Sequence, residues 1–75
     1  MILPTKHVST ERSLLGLGAL LLRALDMPRT VTALWHKVRE IPEVGSFDRF
    51  VLALDLLYAM GAVDLNEGLI RRRTP

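Results

Sequence analysis

The residue types that most often carry enzymatic chemistry are scarce in this 75-residue chain. It contains no cysteine, which excludes a thiol nucleophile, a disulfide framework and every thiolate metal site. Neither of the two histidines, His7 and His36, has clustered ligand residues beside it, so we expect both to be solvated. Asp48 and Asp55 fall on one predicted helix about 10 Å apart along its axis, a poor spacing for paired catalytic carboxylates. We therefore expect a protein that is not an enzyme and uses no metal or cofactor.

The excess of basic charge is confined to the C-terminus. Lys and Arg number 10 against 8 Asp and Glu, which gives a formal net charge of +2. Without Arg71, Arg72 and Arg73, here called the arginine triplet, the same count falls to about −1. The triplet could contact phosphates weakly and without sequence specificity, and Arg49 lies near the start of the third predicted helix. A small DNA-binding regulator that uses these four arginines is the alternative to a protein-binding function.

The third predicted helix, from Ser46 to Gly61, is apolar on nearly all sides. At 100° per residue, one side carries the residues expected in the core. These are Phe47, Phe50, Val51, Leu54, Leu57 and Tyr58. The opposite side carries Leu52, Ala53, Leu56, Ala59 and Met60. Base readout needs polar or basic side chains on that side, so sequence-specific DNA recognition is disfavoured.

Leu52, Leu56 and Met60 follow one another at i, i+4 and i+8, and are called the apolar strip below. A helix that is apolar on two sides needs a partner besides its own core. We expect the strip to dock against a helix or groove of another protein. Two other arrangements are open: the N-terminal segment, which contains Ile2 and Leu3, could cover the strip, or two copies of the chain could pair through it.

Charged residues near the strip suggest how a partner would be oriented. Asp48 and Asp55, called the acidic ridge below, would set the orientation through charge rather than add much affinity. Lys6 and His7 in the N-terminal lead-in are expected to form a second contact, by adding an extended strand to a partner edge.

Capping and turn residues predict three helices followed by a hairpin. The predicted elements are an extended lead-in over residues 1–8, a helix from a Ser9 or Thr10 cap to about Leu25, a second helix after a Thr30 cap, the third helix after a Ser46 cap, and strands Ala62–Leu65 and Leu69–Arg72. One face of the second helix is lined by Val31, Leu34, Trp35, Val38 and Ile41. The expected fold is a mainly α winged helix-turn-helix forming one domain over residues 1–75.

Two details of these elements are left open by the sequence. If Glu67-Gly68 is a two-residue turn, Leu65 pairs with Ile70 facing the core and Asp64 pairs with Arg71 facing solvent, whereas a three-residue turn changes the pairing. Glycines inside the first helix, at 16 and 18, are explained equally well by close approach of another backbone and by simple tolerance. The longest apolar run, residues 14–22, is too short to span a bilayer, so we expect a cytoplasmic protein.

Three stretches of the chain resemble a known family. The opening ILPTKHVSTERSLLGLGA, the block FDRFVLALDLLYAMGAVDL and the closing GLIRR are similar to the small middle components of bacterial ABC three-component systems, above all to the sixth middle-component family. The most specific pieces are residues 3–7, 11–16 and 50–55. The resemblance implies a role in defence against phages or plasmids, in which a small subunit links an SMC- or Rad50-like ABC ATPase to an effector or helps to hold the effector in check.

Overall fold

The computed structural model describes residues 10–73, with side chains from residue 14 onward. Its elements are α1 (Thr10–Ala24), α2 (Val31–Val38), a 3-10 helix (Pro42–Val44), α3 (Phe47–Ala59), β1 (Val63–Asn66) and β2 (Leu69–Arg72). The prediction of three helices followed by an antiparallel hairpin is confirmed, and the arrangement is consistent with a winged helix-turn-helix. In the part of the chain described, no helix combines the length and apolarity needed to cross a membrane.

The predicted caps fix where the second and third helices begin. The Thr30 hydroxyl accepts a hydrogen bond from the Ala33 N–H at 3.0 Å, and the Ser46 hydroxyl accepts one from the Arg49 N–H at 3.1 Å. Each such cap stabilises a helix by about 1 kcal/mol relative to alanine. Gly61 follows α3 with φ +78°, the left-handed conformation that ends a helix.

The core lies where α1 and α3 pack together, and α2 and the hairpin close it. Its buried residues are Leu17, Leu21, Leu25, Leu34, Val38, Val44, Phe50, Ala53, Leu57, Val63 and Ile70. Val44 comes from the 3-10 helix, which is not among the elements predicted from the sequence. Trp35 lies partly buried beside the core, with its ring centroid 5.2 Å from that of Phe50 and 5.1 Å from that of Phe47.

The two glycines of α1 have different explanations. A Cβ added at Gly18 would lie 3.0 Å from Leu57 Cδ2, so α3 approaches α1 closely there through a side chain rather than through its backbone. Among the residues that the structure describes, a Cβ added at Gly16 would meet nothing within 4 Å. Gly16 is therefore tolerated in the helix without a packing requirement.

This difference predicts opposite effects of adding one methyl group. Gly16→Ala is expected to raise the free energy of unfolding by about 0.5–1 kcal/mol, because alanine has the higher helix propensity. Gly18→Ala gains the same propensity but forces Leu57 to move, so we expect no stabilisation. Urea unfolding followed by circular dichroism measures both, and equal stabilisation by the two variants would contradict the close contact at Gly18.

The hairpin has the two-residue turn. Glu67 and Gly68 both have positive φ, +54° and +79°, as a type I′ turn requires. Leu65 pairs with Ile70 and Asp64 with Arg71, so the predicted register is confirmed. The prediction that both apolar partners face the core is wrong for Leu65, which is 60% exposed. Ile70 is buried and bridged to Arg29, whereas Leu65 lies on the other strand, beside a groove that no described element fills.

A backbone bridge ties the hairpin to the linker between α1 and α2. The Arg29 N–H donates to the Ile70 carbonyl at 3.1 Å, and the Ile70 N–H donates to the Arg29 carbonyl at 2.7 Å. The Arg29 guanidinium also donates to Asp26 at 2.8 Å, and this hydrogen bond lowers the pKa of the Asp26 carboxyl. The outer edge of β2 is therefore paired at Ile70.

Candidate partner-binding site

The apolar strip lies on the outward side of α3. Leu52 is 53% exposed and Met60 is 59% exposed, while Leu56 between them is half-buried. None of the three belongs to the buried core cluster. An exposed row of large apolar side chains on a helix marks a surface that gains free energy when another molecule covers it.

The predicted division of α3 into core and outer faces needs three corrections. Ala53, expected on the outer side, is fully buried, whereas Phe47 and Tyr58, expected in the core, are exposed. The buried line of α3 runs instead through Phe50, Ala53 and Leu57. The small side chain at Ala53 suits the face that packs on α1, and a helix apolar all round does not reveal its core side from its pattern alone.

The acidic ridge runs along the outermost line of α3. Asp48 and Asp55 are both exposed and lie about 20° apart at 100° per residue. Within the described residues, neither forms an ion pair. Arg49 is paired with neither of them; its guanidinium donates to the carbonyls of Val44 at 3.2 Å and Glu43 at 3.4 Å. The outward surface of α3 is thus apolar with a negative centre line.

The arginine triplet lies at the end of β2. Arg71 Nε donates to Asp64 Oδ1 at 3.2 Å, so one of the three charges is paired within the hairpin. Arg72 and Arg73 are exposed. Arg49 lies ten residues before the end of α3, so about 15 Å of helix separates Arg49 from that end. Its side chain packs against the 3-10 helix instead. The structure therefore keeps the triplet together and orients Arg49 elsewhere.

This charge distribution predicts weak DNA binding. We expect any affinity for duplex DNA to stay near the non-specific range, about 10⁻⁴–10⁻⁶ M at physiological salt, and to be independent of sequence. The acidic ridge would repel phosphates if α3 entered a groove, and the strip offers no base-reading group. Fluorescence anisotropy against unrelated duplexes tests this. Tight, salt-sensitive binding that is lost when the whole triplet becomes alanine would favour the regulator instead.

An apolar groove on the other flank of α3 was missed from the sequence. It has a volume of about 210 Å³ and is called the hairpin groove below. Its lining residues are Val31, Leu54, Asp55, Tyr58, Val63, Asp64, Leu65 and Ile70. Tyr58 is 63% exposed there. The sequence could have indicated such a groove only through its many apolar residues, because so short a chain buries only part of its surface.

Other predicted positions do not join these surfaces. Lys6 and His7, like Ile2 and Leu3, lie outside the described residues. His36 is exposed on α2. Within the described part of the chain, no three His, Cys, Asp or Glu residues are placed to hold a metal ion.

The fold is small and mainly helical, is consistent with a winged helix, and has a third helix that exposes apolar side chains on both flanks. The family model for the ABC-three component (ABC-3C) system Middle Component 6 matches residues 3–73, and the chain belongs to this family. The resemblance drawn from the sequence is thereby confirmed. A middle component of a three-component system has the other components as its partners. No curated protein and no solved structure matches the chain.

Proposed function

We propose that this chain is a non-catalytic adaptor that joins the other two components of its system through exposed apolar surfaces. The two partners proposed from the family are an SMC- or Rad50-like ABC ATPase and an effector. The complex would act in the bacterial cytoplasm against phages or plasmids. Family membership supports the partners, and the surface of α3 supports the mode of contact.

The observation that carries the proposal is the exposed apolar strip beside the acidic ridge. Covering Leu52 and Met60 removes two large apolar side chains from water, and such burial contributes about 25 cal/mol per Å². Asp48 and Asp55 border the strip without ion pairs among the described residues, so a basic rim on the partner would fit them. Interfaces commonly combine an apolar centre with such a polar rim.

The lead-in supplies a second proposed contact. Lys6 and His7 precede α1 in a segment with an apolar start, and an extended segment of this kind can add to the sheet edge of another protein. A subunit with two separate contacts can hold two partners at once, which is what linking requires.

The experiment is reconstitution of the three purified components of the system. Size-exclusion chromatography with light scattering measures whether the ATPase and the effector co-migrate only when this chain is present. We expect a ternary complex that dissociates on omission of the chain. Co-migration of ATPase and effector without it would contradict a linking role.

The same experiment separates a homodimer from an adaptor. If the strip pairs two copies, the isolated chain elutes at twice its 8.4 kDa mass and its partners do not dissociate the dimer. We expect instead that the strip is covered by a partner, so any self-association of the free chain is lost in the complex.

A further inference from the structure

The outer edge of β1 carries backbone groups that β2 does not use. In an antiparallel ladder, residue pairs that exchange both hydrogen bonds alternate with pairs that exchange none. Beside the two-residue turn, Asn66 and Leu69 form a pair that exchanges hydrogen bonds. At the other end of the hairpin, the Arg73 N–H donates to the Ala62 carbonyl at 2.9 Å, which fits the same alternation. Val63 and Leu65 therefore occupy non-bonded positions, and their N–H and C=O groups point away from β2.

The two edges of the hairpin differ in how they are covered. On the β2 side, the outward groups of Ile70 are taken by Arg29. On the β1 side, no strand within residues 10–73 pairs with the outward groups of Val63 and Leu65. An open edge with unpaired N–H and C=O groups is a template for an added strand.

The hairpin groove lies beside this open edge. Three consecutive residues of β1 line it, Val63, Asp64 and Leu65, together with Leu54, Asp55 and Tyr58 of α3. Val31 of α2 and Ile70 of β2 complete the lining, so the groove also reaches the other strand. The volume of about 210 Å³ is below the roughly 300–1,000 Å³ of typical small-molecule sites. The groove therefore suits one large side chain rather than a cofactor.

The charge at the groove favours a basic occupant. Among the residues whose side chains the structure describes, no Lys, Arg or His lines it, and the two charged residues that do are both acidic. Asp64 is already paired with Arg71, at 3.2 Å. Asp55 is exposed and has no ion pair among the described residues. A positive side chain on the occupant would meet this carboxylate.

We propose that an extended segment of a partner protein pairs with β1 as an added strand, inserts one large apolar side chain beside Leu54, Tyr58 and Leu65, and places a Lys or Arg against Asp55. Strand addition takes its affinity from main-chain hydrogen bonds and its specificity from alternate side chains. The inference rests on the proposed adaptor function, because it assigns a second partner surface to the chain.

The groove and the apolar strip are separate surfaces. Leu56 of the strip and Tyr58 of the groove project about 100° to either side of the buried Leu57 on the same helix. The acidic ridge lies between them. One partner can therefore cover the strip while another occupies the groove.

The test uses the full chain bound to the other two components of its system. Amide hydrogen exchange, read by NMR, is compared between the free chain and the complex. The outward amides of Val63 and Leu65 are expected to become protected on binding. The amides of Asp64 and Asn66, already bonded to β2, serve as the internal reference and are expected to change least.

Matched variants test the strand and the charge separately. Leu65→Pro removes an outward N–H without touching a ladder bond and is expected to weaken binding about tenfold or more, whereas Leu65→Val keeps the N–H, loses only one methylene group beside the inserted side chain and is expected to weaken binding far less. Asp55→Lys is expected to weaken binding about tenfold as well, and Asp55→Glu to retain it. If Leu65→Pro does not fold, the amide protection still decides, because Asp55 also borders the apolar strip and its variants act on both proposed contacts.

The outcomes separate the two proposals. A complex that depends on the strip, but shows no new protection at Val63 and Leu65, overturns the groove inference alone. Protection that grows with the concentration of the free chain assigns the edge to a second copy and also overturns it. Absence of any assembly among the three components overturns the adaptor function and this inference with it.

Discussion

Phe50→Ala is expected to lower the free energy of unfolding by about 3–5 kcal/mol, the usual range for a buried phenylalanine. Phe50 is fully buried, and its ring lies 5.2 Å from Trp35 and 5.7 Å from Phe47 between centroids. Truncation therefore removes core volume and two aromatic contacts at once. A domain of this size has a total stability of about 4–11 kcal/mol, so the loss amounts to between about a quarter and all of that stability.

Urea unfolding followed by far-ultraviolet circular dichroism measures this change, and Phe47→Ala is the matched control. Phe47 belongs to the same aromatic cluster but is exposed, so its truncation should cost no more than about 2 kcal/mol. A similar loss in both variants would show that the cluster, rather than burial of one ring, determines stability.

Met60→Arg and Leu52→Arg are each expected to weaken assembly with the partner components about 100-fold or more, which corresponds to ~2.8 kcal/mol. Each change places an unpaired charge at the centre of the proposed apolar contact. Both positions are more than half exposed in the free chain, so its unfolding free energy should change by no more than about 0.5 kcal/mol. Isothermal titration calorimetry and urea unfolding measure the two quantities separately.

Met27→Arg is the control for this prediction. Met27 is 57% exposed, nearly the same as Met60, but lies in the linker between α1 and α2. The variant Met27→Arg should leave assembly with the partner components unchanged. Equal weakening by Met27→Arg and Met60→Arg would point to a general effect of added charge. Leu56→Arg should also abolish assembly, but Leu56 is half-buried, so a loss of folding there would place it in the monomer core.

Local signals in the sequence were sufficient to predict the elements. Thr30 and Ser46 bond the amides that a helix start leaves unpaired, and Glu67-Gly68 adopts the two positive φ angles of a tight hairpin. These features depend on neighbouring residues only. The family, too, could be identified from contiguous stretches of sequence.

Features set by contacts between distant residues could not be predicted in the same way. The rotation of α3 depends on where α1 approaches it, and the pattern of an almost wholly apolar helix fits several rotations. Ala53 was therefore placed outside and Tyr58 inside, the reverse of what the fold shows. The bridge between Arg29 and Ile70 joins residues 41 positions apart, and no local motif marks it.

The hairpin groove was missed for a related reason. Sequence analysis assigned Tyr58 and Leu65 to the core because they are apolar at plausible positions, yet a domain this small cannot cover all of its apolar side chains. Exposure at these two positions became visible only once the hairpin and α3 were placed together. The composition predicted a surplus of apolar surface without showing where it lies.

The bridge between Arg29 and Ile70 also has a consequence for the entropy of binding. Its two backbone hydrogen bonds anchor β2 to the start of α2, so the hairpin is held at its base and at one side. The hairpin side of the groove is thereby held in place by main-chain hydrogen bonds before any ligand binds. A preorganised site loses little conformational freedom on complex formation, so a short segment can bind it without first having to order the hairpin.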